Sequence, residues 1–144
     1  MKKRVVITGL GIVSPLGLGV KANEEALFNG LTGVDLIKSF TPDDDFPVKI
    51  AGEVKGFDPK DFIDHKDIKK MDRFIHYAMA CSKMALDDSG LEINDTNAER
   101  VGVIVGVGLG GLPAIEKYHQ IYKEKGAKKI TPFFIPMLIA NLAS

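Results

Sequence analysis

Two short apolar runs, each closed by glycines, decide the fold class. The first reads Val5-Val6-Ile7-Thr8-Gly9-Leu10-Gly11, and the second reads Val101-Gly102-Val103-Ile104-Val105-Gly106-Val107-Gly108-Leu109-Gly110-Gly111. Apolar runs without polar alternation are typical of strands buried on both faces of a parallel sheet. The sequence therefore predicts an α/β fold with strands over residues 5–8 and 101–107.

Helical patterns surround these runs. Asn23 predicts a helix start and Gly30 its end, since they suit the N-cap and the residue after the last turn. Apolar residues at spacings of three and four predict helices over about 66–88, stopped by Ser89-Gly90, and over about 112–125. Residues 31–60 predict an irregular excursion with a short strand near 48–54, and residues 130–144 are apolar and helical in pattern.

The pattern predicts an unfinished sheet. Two strands that are apolar on both faces need neighbouring strands and covering helices, and sheets usually contain four or more strands. The last fifteen residues are almost wholly apolar and carry no helix-stop signal. We therefore expect residues 1–144 to be the N-terminal segment of a longer chain.

Composition limits the function classes. The 144 residues contain 45% hydrophobic residues, and 19 Lys+Arg balance 19 Asp+Glu, so the formal net charge is zero. A dedicated nucleic-acid binder would show a basic excess. A single cysteine permits no internal disulfide, and no apolar run is long enough for membrane insertion. We expect a cytoplasmic protein.

Isolated candidate residues favour structural roles. Cys81 lies in mid-helix on an apolar stripe, where a free cysteine is usually a core residue. His65, His76 and His119 have no metal-ligand spacing, and residues 43–45 lack the pattern of a calcium loop. We predict no metal site and no cofactor.

The first glycine turn raises a nucleotide-binding hypothesis. Such a turn needs a helix to begin at once, so that the helix N-terminus meets the phosphates. Pro15 disfavours that start by pushing Ser14 away from helical dihedrals. Asp35 stands about where a ribose-binding acid would lie. A small nucleotide-binding α/β domain stays an alternative. The second glycine turn fits either a tight strand-to-helix turn or a close approach of backbone to a ligand or another chain.

Lysines form two local groups in this neutral chain. One helix face carries Lys66, Lys69 and Lys70, and Lys128 and Lys129 form a pair in a loop. Such groups suit either a solvated surface or a landing site for an acidic partner. The lysines alone leave both interpretations open.

Taken in order, five segments resemble the bacterial β-ketoacyl-[acyl-carrier-protein] synthases, the elongating condensing enzymes of type II fatty acid synthesis. They are residues 4–17, Lys70-Met71-Asp72-Arg73-Phe74, residues 87–91, residues 106–111 and Pro132-Phe133-Phe134-Ile135-Pro136. The resemblance implies a thiolase-like layered fold, of which this chain is most of the first half. It also implies a homodimer with acyl carrier protein as partner.

The resemblance places no catalytic residue in this chain. The nucleophilic cysteine and the two histidines of the family would follow Ser144, so residues 1–144 alone are expected to be inactive. It assigns Leu109 and Phe134 to the acyl pocket, and Phe133, Phe134 and Met137 to the dimer interface. It also implies that acyl carrier protein docks on the five lysines (Lys66, Lys69, Lys70, Lys128, Lys129). A condensing-enzyme homologue without the cysteine, acting as a heterodimer partner, is a further alternative.

Overall fold

The computed structural model describes residues 3–144, which form short strands and five α-helices. The elements are β1 (Val13–Ser14), β2 (Gly17–Leu18), α1 (Val20–Phe28), β3 (Val34–Leu36), β4 (Ile50–Gly52), α2 (His65–Ile68), α3 (Arg73–Ser89), α4 (Leu112–Lys125) and α5 (Phe134–Leu138). Short 3₁₀ turns occupy Pro59–Asp61, Ala98–Arg100, Ala127–Lys129 and Ala140–Ala143.

The strands form two small antiparallel ladders. Val13 pairs with Leu18 in the β1–β2 hairpin. Asp35 pairs with Ala51 at the centre of the β3–β4 ladder. The predicted short strand near residues 48–54 is confirmed as β4. Its partner β3 was missed because three residues inside an irregular stretch carry no readable periodicity.

The two predicted core strands are wrong as elements of this structure. Within residues 3–144, neither residues 5–8 nor residues 101–107 join a hydrogen-bonded ladder. Their side chains are open to solvent: Val5 is 95% exposed, Ile7 82% and Ile104 98%. A strand exists only against a partner strand, and the part of the chain described here supplies none to either run.

The helices follow the sequence signals more closely. α3 ends at Ser89, and Gly90 directly after it adopts the left-handed conformation with φ of 64°, as the stop signal predicts. α4 has the predicted bounds. The single helix expected over residues 66–88 is instead divided into α2 and α3, because the Asp72 side chain caps a new helix start.

Asn23 is not the helix cap that was predicted. α1 already begins at Val20, and Asn23 is buried within it. The Asn23 amide donates to the carbonyl oxygens of Gly17 and Gly19, and its oxygen accepts from the Ser14 hydroxyl. This side chain therefore ties the first hairpin to α1.

The first glycine turn packs directly on α3. A Cβ at Gly9 would overlap the carbonyl oxygen of Ala85, and a Cβ at Gly11 would overlap that of Cys81. Residues two apart in an extended segment share a face, and residues four apart share a helix face, so the two glycines match one stripe of α3. The glycines serve close backbone packing within the chain.

Candidate functional site

The candidate site lies where the starts of α3 and α4 meet α5. Its centre is Asp72, whose side chain is buried. One carboxylate oxygen caps α3 by accepting the Arg73 backbone N–H, and the other accepts the Ala114 backbone N–H at 2.9 Å. A carboxylate is favoured there because the N-terminus of a helix carries partial positive charge. Asp72 therefore fastens two helix starts together.

From the sequence, Asp72 belongs to one of the segments that carry the resemblance and has no predicted role of its own. An aspartate just before an amphipathic helix is a readable N-cap signal. The second hydrogen bond joins residues 42 positions apart, and no local pattern announces it.

α5 packs against α4 through a small apolar cluster. Ala114, Tyr118 and Met137 are its buried members, and the Phe134 ring lies 5.2 Å from the Tyr118 ring, centroid to centroid. Met137 is only 7% exposed, whereas Phe133 is 41% exposed. Of the three predicted interface residues, Met137 is thus already covered by its own chain, and Phe133 has the surface that a partner could cover.

The second glycine turn leads into α4 and packs against the C-terminal end of α5. Gly110 has a φ of 85°, a conformation that favours glycine, and a Cβ at Gly111 would overlap the Met137 carbonyl oxygen. The Gly111 N–H donates to the Leu138 carbonyl oxygen at 3.4 Å. Leu109, just before these glycines, is 73% exposed. It lies at the surface of this chain, while Phe134 packs on α4.

The lysines Lys66, Lys69 and Lys70, which we call the basic segment, lie on α2 and the turn after it. Lys66 pairs with Asp64 at 3.6 Å, and Lys70 pairs with Asp67 at 2.6 Å. The hydrogen bond from Lys70 lowers the pKa of the Asp67 carboxyl below its ordinary value.

Lys70 also connects two predicted surfaces. Its ammonium lies 5.7 Å from the centre of the Phe133 ring, within the range of a cation–π contact. The structure therefore brings a predicted docking residue beside a predicted interface residue. Lys128 and Lys129 lie apart from this point, exposed on the 3₁₀ turn that follows α4.

A cleft of about 420 Å³ opens beside the basic segment, and we call it the basic cleft. It is lined by Lys69, Met71, Asp72, Arg73, Pro113, Ala114, Lys117, Tyr118 and Met137. Within the described residues, Lys69, Arg73 and Lys117 have no ion-pair partner. Cations around an apolar floor suit an acidic partner with an apolar side chain. Arg73 and Lys117 were not identified as site residues from the sequence.

The candidate residues Cys81 and His76 contact other parts of the fold. Cys81 is half-buried in mid-α3 and faces a cavity shared with Phe74 and Val105. A His76 ring nitrogen lies 3.0 Å from the Ile68 carbonyl oxygen. Among residues 3–144, no group of three His, Cys, Asp or Glu side chains could hold a metal ion. No helix in the same range is both long and apolar enough to cross a bilayer.

The two features that raised the nucleotide-binding hypothesis, the first glycine turn and Asp35, make other contacts in this structure. The first glycine turn packs on α3, as described above. The Asp35 carboxylate pairs with Lys38 at 3.0 Å and with Lys55 at 3.3 Å. Hydrogen bonds from Lys38, the Leu36 N–H and Lys55 lower its pKa to about 2.

Comparison with known proteins identifies the family. The family model described as the N-terminal domain of β-ketoacyl synthase matches residues 2–144. The 3-oxoacyl-[acyl-carrier-protein] synthase 2 of Coxiella burnetii is 52% identical over 143 residues, which are 99% of this chain and 34% of the relative. The chain thus spans about a third of the length of this relative.

Solved structures agree on the fold. A type II polyketide-synthase acyl carrier protein in complex with its ketosynthase, bound to the hexaketide, matches with a TM-score of 0.78 and 26% identity. That match covers 99% of this chain and 38% of the other. The ishigamide ketosynthase/chain length factor matches with a TM-score of 0.74 and 28% identity over 96% of this chain and 34% of the other. The expected thiolase-like fold is confirmed. The chain therefore belongs to the β-ketoacyl synthase family and has the fold of the first part of such an enzyme.

Proposed function

We propose that this chain is the N-terminal part of a longer β-ketoacyl-[acyl-carrier-protein] synthase of type II fatty acid synthesis, called the full-length synthase below. The observation that carries the proposal is the 52% identity along 99% of this chain to a protein named 3-oxoacyl-[acyl-carrier-protein] synthase 2. The open apolar segments support it, because side chains as exposed as Val5 and Ile104 need further protein to cover them.

The reaction is a decarboxylative condensation. An enzyme cysteine takes the acyl group from acyl carrier protein as a thioester and releases the carrier thiol. Malonyl carrier protein then loses carbon dioxide, and the resulting carbanion attacks the acyl-enzyme carbonyl. The ketoacyl carrier protein leaves, and the cysteine thiolate is restored. We place the cysteine and the histidines that assist decarboxylation beyond Ser144, so this chain supplies binding surfaces and no catalytic residue.

We propose that acyl carrier protein docks on the basic segment, with Lys128 and Lys129 as further contacts. Lys69, Lys128 and Lys129 have no ion-pair partner within residues 3–144, so their charge is available to an acidic partner. The polyketide ketosynthase that resembles this chain was solved with its acyl carrier protein. This precedent supports a docked carrier here.

We also propose that Leu109 and Phe134 line the acyl pocket, with Phe134 reaching the pocket of the second subunit of a homodimer. The exposure of Leu109 leaves its side chain free to meet an acyl chain. Phe133, beside Lys70, has apolar surface for the dimer interface. We also propose that the full-length synthase is a cytoplasmic enzyme.

The test is condensation by the full-length synthase. We expect ketoacyl carrier protein to form from acyl and malonyl carrier protein, and no product from residues 1–144 alone. Product from residues 1–144 would contradict the placement of the catalytic residues. A full-length protein without the cysteine and without product would instead be the non-catalytic heterodimer partner.

A further inference from the structure

We propose that Asp72 is a positioning residue for condensation. Its carboxylate holds the start of α4 against the start of α3, and so fixes the acyl-pocket residue Leu109 relative to the basic segment. This inference rests on the proposed function, because it concerns the distance between a carrier dock and an acyl pocket.

The chemistry of the contact requires a carboxylate. Asp72 is buried, and its two oxygens accept N–H groups from two different helices, Arg73 in α3 and Ala114 in α4. An asparagine has one acceptor oxygen, so its amide NH₂ would face one of the two donors. Within residues 3–144, the Asp72–Ala114 bond is the one side-chain hydrogen bond that joins these helix starts.

The two functional elements lie close to this contact along the chain. Lys70 precedes Asp72 by two residues, and its ammonium sits over the Phe133 ring. Leu109 precedes Ala114 by five residues, with Gly110 and Gly111 between them. Those glycines press on the end of α5, so the start of α4 is held between α5 and Asp72. Releasing the Asp72 side would let Leu109 move relative to the basic segment.

Other aspartates at turn starts do not make such a connection. Asp58 accepts only the Lys60 N–H of its own 3₁₀ turn, and Asp64 makes no capping hydrogen bond to α2. The double acceptor role is therefore particular to Asp72 among these caps, which separates it from ordinary helix capping.

The experiment compares three variants of the full-length synthase. Asp72→Ser keeps a good cap for α3 but is too short to bridge to α4. Asp72→Asn keeps the size and loses one acceptor. Asp88→Asn is the matched control, because Asp88 also accepts a distant backbone N–H, that of Leu10 at 2.9 Å, on an exposed surface.

We expect both Asp72 variants to lose roughly ten- to a hundredfold in kcat/KM with acyl carrier protein, since small misplacements cost that much. The loss should be smaller with acyl-pantetheine thioesters, which do not use the dock, and the preference among acyl chain lengths should shift. Asp88→Asn should change neither. If Asp72→Asn fails to fold, Asp72→Ser decides.

The positioning role alone would be overturned if the wild type is active and the Asp72→Ser variant has the same KM for acyl carrier protein and the same chain-length profile as the wild type. An equal loss on carrier-bound and pantetheine substrates with no shift in chain length would also overturn it, because that result is simple destabilisation. A wild type that forms no ketoacyl product would refute the proposed function, and the positioning role with it.

Discussion

The apolar cluster between α4 and α5 and the two glycine-closed apolar runs differ in how far this chain covers their side chains. In the helical cluster, Tyr118 and Met137 are buried by residues of the same chain. In the runs over residues 5–8 and 101–107, Ile7 and Ile104 remain almost fully exposed. Helices satisfy their backbone internally, whereas strands depend on partners elsewhere in the protein. The α4–α5 cluster therefore has a buried centre within the described residues, whereas the side chains of the two runs stay open to solvent.

The largest effect is expected from Met137→Ala, which is compared with Ile104→Ala in the full-length synthase. Met137→Ala removes side-chain volume from the cluster, and we expect the free energy of unfolding to fall by about 2–5 kcal/mol. Ile104→Ala should cost a similar amount, because further strands and helices would cover it. Urea unfolding measures both. A silent Ile104→Ala would mean that nothing covers this run.

Gly11→Ala tests the contact between the first run and α3. A Cβ at Gly11 would overlap the Cys81 carbonyl oxygen, so the helix or the run must shift. We expect a loss of about 1–3 kcal/mol in the free energy of unfolding. Equal thermal stability of Gly11→Ala and the wild type would contradict the packing.

Charge reversal of the basic segment to glutamate tests the docking proposal. Exposed ion pairs contribute about 0.2–1 kcal/mol each. Loss of three such pairs with the carrier protein predicts a rise of about tenfold in the KM for acyl carrier protein at low salt. Screening should make this rise smaller at high salt. The control reverses three exposed lysines outside the segment: Lys21, Lys55 and Lys83. A change in kcat alone, or an equal effect of the control, would count against docking.

Leu109→Phe tests the acyl pocket at the edge of the helical region. A larger ring should shorten the pocket, and we expect kcat/KM for long primers to fall about tenfold more than for short ones, since one methylene in an apolar pocket corresponds to about 1–3 kcal/mol. Ile115→Phe, also an exposed position on the α4 side, serves as the control. An unchanged chain-length profile with Leu109→Phe would remove Leu109 from the pocket wall.

The smallest effect concerns the β3–β4 ladder. The pKa of Asp35 is about 2 in the folded chain, below its ordinary value of 3.8. A lowered pKa stabilises the fold above the ordinary value, and this contribution is lost as the pH falls from about 4 to about 2. Asp35→Asn should therefore lose less stability than the wild type across that window. Asp44 makes no ion pair within the described residues, so Asp44→Asn is the control. Urea unfolding at about pH 4 and about pH 2 measures the stability that each protein loses. Identical losses in Asp35→Asn and the wild type would contradict the ion pairs.

What could be predicted from sequence follows the same division. The bounds of α4 and the end of α3 just before Gly90 depend on local signals, and both are confirmed. Strand formation over residues 101–107 depends on partners outside those residues, so a local pattern misled the prediction. The Asp72–Ala114 bond spans 42 positions and is set only when α3 and α4 pack. The lysines were found as a charge group, but the position of Lys70 over Phe133 required the fold.

The intact mass of the native protein tests the central claim most directly, namely that this chain is part of a longer condensing enzyme. Residues 1–144 alone have a mass of 15.6 kDa and span 34% of the Coxiella relative. We predict a native polypeptide close to three times that mass, with the strand region covered by the additional chain. A native polypeptide of 15.6 kDa would contradict the account.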